Sequence, residues 1–450
     1  MMPPERPLWQ AFLAFVGPMM ASNILQSLFG TINNIYIGQL IGVNALAAVS
    51  VFFPVMFFFV AFVIGLGTGA GILIGQAWGA GQRDKVKEIA AAALLATLVI
   101  GAAISVLGGL FSRPLMIALA TPANILDEAT AYARIMMLGM PLTFCFLLST
   151  SLLRGVGDTV TPLTGLIIST LLGLVMTPAL ILGWFGLPPL GVASAAIASA
   201  ISTAIGLTWF AIHLIRRNHP LAPDRAMLRH LRVNPALLGR ILRLGIPTAI
   251  QIVTMSLAEL ALLGLVNGFG SDATAAYGAV NQVISYAQFP AMSIAISASV
   301  FGAQAIGRGD AGQIGAIVRT ALMLNVLLTG GLVALIYLFS GVVMGFFIAE
   351  PSVADLAQHL LHIVLWSNIV FGMSGIFSGT MRASGTVFMP TLLSVLAIIL
   401  IEVPSAIVLS RHYGVTGVWY AWPITFCAMF LLQASYYRLV WRKRTITRLV

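Results

Sequence analysis

Two carboxylates, Glu259 and Glu402, stand inside apolar runs that hold no other charge. A charge at the centre of a bilayer costs about 2.5–3.5 kcal/mol even on insertion scales, so a carboxylate kept there generally faces a cavity and serves a function. Such a group can exchange a proton or hold a small cation. Gln251 and Met255 precede Glu259 by two turns and one turn, and Ser394 and Ser405 flank Glu402, so each carboxylate continues a mildly polar helical stripe. A protonated carboxyl bonded to a neighbouring helix is the competing role. The other polar candidates within apolar runs are Gln26 and Asn33, at i and i+7 on one face, then Asn281, Gln282 and Tyr286, and Asn368. They suit the lining of a polar cavity, and equally the hydrogen bonds that join helices in lipid. No metal centre is expected. Cys145 and Cys427 lie in apolar runs, and His359 with His362 makes only a pair on one helix face.

The elements that must position these groups are spanning helices. Of 450 residues, 59% are hydrophobic and 8% charged, with a mean hydropathy of +1.01. Soluble chains carry about 25% charged residues, so this is a polytopic, all-α membrane protein. A span needs roughly 20 apolar residues. Two fit into 7–82, which has no charge, divided at 38–44. Others fall at 88–113 and 134–154, and two more within 159–215, divided by Gly186-Leu187-Pro188-Pro189. After a basic connector at 216–243 come spans at 244–266, 275–304, 322–347, 356–379, 388–409 and 418–440. The expected total is twelve: an N-lobe at 1–215, the connector, and a C-lobe at 244–450 that ends in a basic tail.

Twenty of the 23 Lys and Arg then lie on the side of the termini, Arg6 and Arg232 among them, and only Arg113, Arg134 and Arg411 on the other. Both termini are therefore expected in the cytoplasm. The net charge of +10 reads as orientation, not as a nucleic-acid partner. The connector could also meet anionic lipid headgroups.

The halves repeat. Gln76 to Gly81 returns as Gln304 to Gly309, and Arg154-Gly155-Val156-Gly157 returns at the same offset as Arg382-Ala383-Ser384-Gly385. Pro18 pairs with Pro247 and Pro178 with Pro404, at offsets that differ from it by one or two positions. Six spans per half make the repeat parallel, which places substrate near mid-membrane with the lobes rocking about it. No phosphate-binding G-x-x-x-x-G-K-[ST] occurs, and no catalytic cluster marks an enzyme.

Gly38-Gln39-Leu40-Ile41-Gly42 with Ala45 to Val49, the Gln76 and Gln304 segments, Arg154 to Thr159, and Leu190-Gly191-Val192 together resemble the multidrug and toxic compound extrusion (MATE) family, over roughly residues 10–440. The resemblance implies twelve helices in two six-helix lobes and export of organic cations, often drugs, in exchange for H+ or Na+. It implies no cofactor, and a multi-pass protein of a bacterial-type inner (plasma) membrane. The chain departs from the family pattern in its first lobe. Asn33, fifteen positions after Pro18, stands where the family commonly has a cation-coupling Asp, and Gly173 and Thr177 replace the polar pair of span 5. Coupling is thus expected to centre on Glu259, with Glu402 as its partner or a counter-ion to substrate, and with Asn33 and Gln251 as further candidates. A monomer is expected. The alternative of similar architecture is a flippase for a lipid-linked oligosaccharide, which would need deep arginines for pyrophosphate.

Overall fold

The structure, a computed structural model, describes residues 7–186, 189–231 and 234–450. Arg6 and Arg232 of the basic inventory, and Leu187 and Pro188 of the turn between spans, lie outside these. In lipid no water satisfies the backbone, so apolar runs close their hydrogen bonds internally as helices. The described helices are α1 (Leu8–Tyr36), α2 (Val43–Gly79), α3 (Arg83–Ala118), α4 (Leu126–Leu138), α5 (Met140–Gly155), α6 (Val160–Leu182), α7 (Ala193–Arg216) and α8 (Arg225–Arg229). They continue as α9 (Pro235–Asn267), α10 (Ser271–Arg308), α11 (Ile314–Leu324), α12 (Gly330–Leu338), α13 (Ser340–Phe347), α14 (Pro351–Val364), α15 (Ser367–Ala383), α16 (Phe388–Ala397), α17 (Val403–Tyr413) and α18 (Val415–Leu439). Wider π-turns join α11 to α12 at Asn325–Thr329 and α16 to α17 at Ile398–Glu402, and a third, Ile37–Ile41, extends α1.

Among the described residues eleven elements are long and apolar enough to span a membrane, and α4 with α5, bent by 50° between them, makes a twelfth where the bent pair counts as one span. The bend falls at Gly139, just before Pro141, which has no N–H for a bond across the break and sits in the first turn of α5, where that donor is not needed. Two boundaries differ from the expected ones. Span 9 runs Ala311–Leu338, because the chain turns at Phe339 and α13 is a separate short helix. The second half begins at Pro235, so Arg240 and Arg243 already belong to α9.

The described residues form two compact units. One holds the described part of Met1–Met20, Gly79–Gly81 and Ile250–Val450; the other holds Ala21–Trp78 and Gln82–Ala249. Membership changes after Met20 and again after Ala249, two points related by the same offset as Pro18 and Pro247. Within the unit of Ala21–Ala249, α2 and α9 meet backbone to backbone: a Cβ on Gly65 would lie 2.6 Å from the Gly245 carbonyl oxygen. The connector is docked there too. Lys87 and Asp224 pair, Asn234 donates to Glu88 Oε1 at 3.1 Å, and His219 lies 3.6 Å from Asp158. Lys87 holds the Asp224 carboxyl below its ordinary value, helped by the Met227 amide that Asp224 accepts in capping α8.

Within the unit of Ile250–Val450, α10 runs through the centre with α11, α14 and α15 against it, α18 packs on α15, and Phe12 and Phe15 of α1 lie edge-on to Phe301. The internal repeat recurs in the backbone. Gly42, Gly81 and Gly157 have φ of 125°, 74° and 91°, and their counterparts in the second half, Gly270, Gly309 and Gly385, have 104°, 83° and 85°. Only glycine takes these values at low cost, so the turns at matching loops have kept their residue.

Candidate functional site

In the unit of Ile250–Val450, α9 carries Glu259 and α10 carries Asn281, whose Nδ2 donates to Glu259 Oε1 at 2.9 Å. The Tyr277 hydroxyl donates to the Glu259 backbone carbonyl at 3.5 Å. Glu402 arrives by a different device. Pro404 has no N–H to offer the Leu400 carbonyl, and the helix widens just before it, with the Val403 N–H reaching back to the Ile398 oxygen. That π-turn leaves Ile399 and Leu400 exposed on the apolar outside and Glu402 7% exposed. Trp422 is the polar neighbour of its carboxylate.

Both carboxylates line one cavity of about 150 Å³. From α10 it is lined by Asn281, Ser285 and Gln288, and from α18 by Trp422, Phe426 and Met429. Each triplet has the i, i+4, i+7 spacing of one helix face. Beyond it, Gln288 donates to Asn368 Oδ1 at 3.1 Å, and the buried Asn368 donates to the Leu365 carbonyl, so the polar lining is tied into α15. Size decides what such a cavity can hold. Pockets for drug-sized ligands run about 300–1,000 Å³, whereas water takes about 30 Å³ in the liquid. At this volume the space suits a proton with its waters or a small cation, with Trp422 and Phe426 among the lining side chains.

The remaining sequence candidates lie elsewhere. Gln251, two turns before Glu259 on α9, accepts from the Arg382 guanidinium near the end of α15 and does not line the cavity. Gln282 and Tyr286 sit one position round from the lining face of α10, where Tyr286 meets Phe289 edge-on at 5.6 Å. Gln26 is exposed on α1, and Asn33, also on α1, buries a side-chain oxygen with no hydrogen-bond partner, both in the other unit. Trp422, Phe426, Met429 and Ser285 went unnoticed in the sequence, although their spacing from one another was there to find. Among the described residues no group of three or more potential ligands gathers for a metal.

Known proteins match this chain over nearly its whole length. The family model MatE matches it twice, at residues 18–179 and 247–408, two segments of equal length that begin at the paired prolines Pro18 and Pro247. A probable multidrug resistance protein, YoeA, of Bacillus subtilis (strain 168) is 42% identical, over 98% of this chain and 96% of its own. The multidrug export protein MepA of Staphylococcus haemolyticus (strain JCSC1435) is 26% identical, over 98% and 97%. Among solved structures, a MATE protein in complex with MaL6 superposes with a TM-score of 0.88 at 22% identity, covering 96% of each chain. A MOP superfamily transporter from Pyrococcus furiosus Vc1 (DSM3638) superposes at 0.86 and 22%, covering 97% of each. A double match to one family model, in step with the repeat already seen in the glycines, places both halves in a single lineage: the chain belongs to the MatE family.

Proposed function

We propose that this protein is a secondary active exporter of organic cations and amphiphilic drugs, exchanging them for H+ or Na+ by alternating access of its two lobes. It would act in a bacterial-type plasma membrane with both termini cytoplasmic. Two relatives that it matches end to end are named for multidrug resistance or export, which supports the substrate class. The observation that carries the coupling role is the gathering of Glu259, Glu402 and Asn281 on one small cavity. In this reading the carboxylates take up and release the coupling ion, and substrate binds in a larger space opened during the cycle. The flippase reading is not favoured, since the charged groups on the cavity are both acidic and no arginine lines it.

The test is drug efflux from proteoliposomes driven by an imposed pH or Na+ gradient, each collapsed separately. Replacing Glu259 with Gln lowers gradient-driven transport by about tenfold or more while leaving drug binding measurable; transport that survives undiminished removes Glu259 from the mechanism.

A further inference from the structure

A second cleft, of about 460 Å³, lies in the unit of Ile250–Val450 between α11, α15 and α18, at the helix ends nearest the C-terminal tail. Arg319, Arg438 and Arg442 line it with Tyr437, above an apolar wall that includes Leu322 and Phe377. All three arginines are exposed and no acidic residue lines the cleft. The ion pairs among the described residues engage other groups.

The repeat shows why the cleft is open. At the offset that relates Gln76 to Gln304, Gly315 and Ala316 on its rim correspond to Lys87 and Glu88. Those two are occupied by Asp224 and Asn234 of the connector, which covers the start of α3. The tail that follows α18 goes elsewhere: Trp441 donates to Ser384, Arg448 lies against Gly309, and Leu449 against Gly385. Polypeptide covers the first position and none of the described chain covers the second.

What fits there must carry negative charge and tolerate an apolar wall. Guanidinium forks match phosphate oxygens in a bidentate way. Arg438 lies in the last turn of α18, and Arg319 near the start of span 9, so the cleft sits where lipid meets water. Leu431 and Leu439 of α18 are 62% and 65% exposed, which leaves an apolar flank for acyl chains. A basic pocket between spanning helices is the form that takes lipid headgroups, whereas a free anion has no use for the apolar wall and an organic cation is repelled. We propose that this cleft binds an anionic phospholipid, its phosphate on Arg319, Arg438 and Arg442 and its first acyl carbons along Leu322 and Phe377.

The experiment uses the purified full-length protein in neutral detergent, offered phosphatidylglycerol, phosphatidylcholine or inorganic phosphate, with bound lipid counted by native mass spectrometry. Phosphatidylglycerol is expected to stay through detergent exchange and phosphatidylcholine to wash off. The triple variant Arg319→Gln, Arg438→Gln, Arg442→Gln loses at least about tenfold in retention, given the contribution of each basic group near a charged lipid surface. A control of equal charge change away from both the cleft and the connector, Arg83→Gln, Arg113→Gln, Arg411→Gln, retains lipid as the parent does. The triple Lys variant keeps the charge but not the fork; it loses about threefold and keeps its preference for phosphatidylglycerol, which separates recognition from misfolding. Equal retention by the Gln triple, equal loss by the control, inorganic phosphate competing as well as phosphatidylglycerol, or no lipid preference in the Lys triple each overturn the proposal.

Discussion

The two lobes share a backbone plan and differ in what they bury. At three matched loops the glycines keep the same positive φ. At the matched interior positions the chemistry is absent: the offsets of the helix prolines pair Glu259 with Gly30 and Glu402 with Met176, and the π-turn before Glu402 has a regular helix, α6, as its counterpart. The second lobe gathers its carboxylates on a cavity; the first buries Thr170 and Thr177 instead. A duplicated scaffold preserves the positions where the backbone leaves no choice of residue, and leaves interior side chains free to diverge.

The largest expected effect tests the claim that coupling lies on one side of this comparison. Glu259→Gln should cut gradient-driven efflux by tenfold or more, while Asn33→Leu, at the position where the family's usual acid is missing, should change it by less than about threefold, an order-of-magnitude expectation from intramembrane ionisable groups being functional by default. Comparable losses from both would spread coupling over the two lobes. Glu402→Gln should fall between, with several-fold slower efflux and a shifted pH dependence; efflux scanned from pH 5.5 to 8.5 reads both. If its profile overlies the parent's, Glu402 is structural.

Smaller effects test the shared frame. Gly81→Ala and Gly309→Ala should each cost about 1–2 kcal/mol, the penalty for an L-residue at positive φ. Near-equal losses are expected, since the extra neighbour at Gly309 is only the mobile end of Arg448, 2.7 Å from the new Cβ. Melting followed by tryptophan fluorescence checks this, and a large inequality would mean that the loops are not equivalent.

The smallest effect concerns the cover that only the first lobe has. Burial pushes the His219 imidazole below its ordinary value of 6.5, with Asp158 opposing the shift and His213 adding to it. Below pH 6.5 the undocked connector therefore binds more protons at this site than the docked one, so docking is complete above that value and weakens as pH falls through it. The shift at Asp224 also lowers its value, starting from 3.8, and so acts only in more acidic solution. Tryptic cleavage after Arg225 and Arg229, normalised to a free peptide, should quicken from pH 7.5 to 5.5, and His219→Gln should flatten that change.

The spans were legible because charge fences them and because lipid permits only closed helices. The repeat was legible through Arg, Gln and Pro landmarks, and Glu259 and Glu402 through the cost of a charge within an apolar span. What the sequence hid was partnership. Nothing in the one-dimensional pattern pairs Asn281 with Glu259 on the preceding helix, or Arg382 with the far more distant Gln251. The π-turn was concealed for another reason: Pro404 announces a missing donor but not whether the helix kinks, ends or widens in response. The face of α18 at Trp422, Phe426 and Met429 reads as ordinary apolar helix until the cavity gives it a direction.

The membership of α1 bears on how the chain is made. Its first turns belong to the unit otherwise built from Ile250–Val450, and Phe12 rests on Phe301, deep in the second half of the sequence. During synthesis that stretch leaves the ribosome well before its seat does, so its aromatic rings wait for the residues between Phe12 and Phe301 before they are covered. Contacts of such long sequence separation form late, and unpaired apolar surface is what insertion and quality-control machinery recognise. The packing of the second lobe is therefore completed by a helix from the start of the first, and the Phe12–Phe301 contact closes only after both have been made.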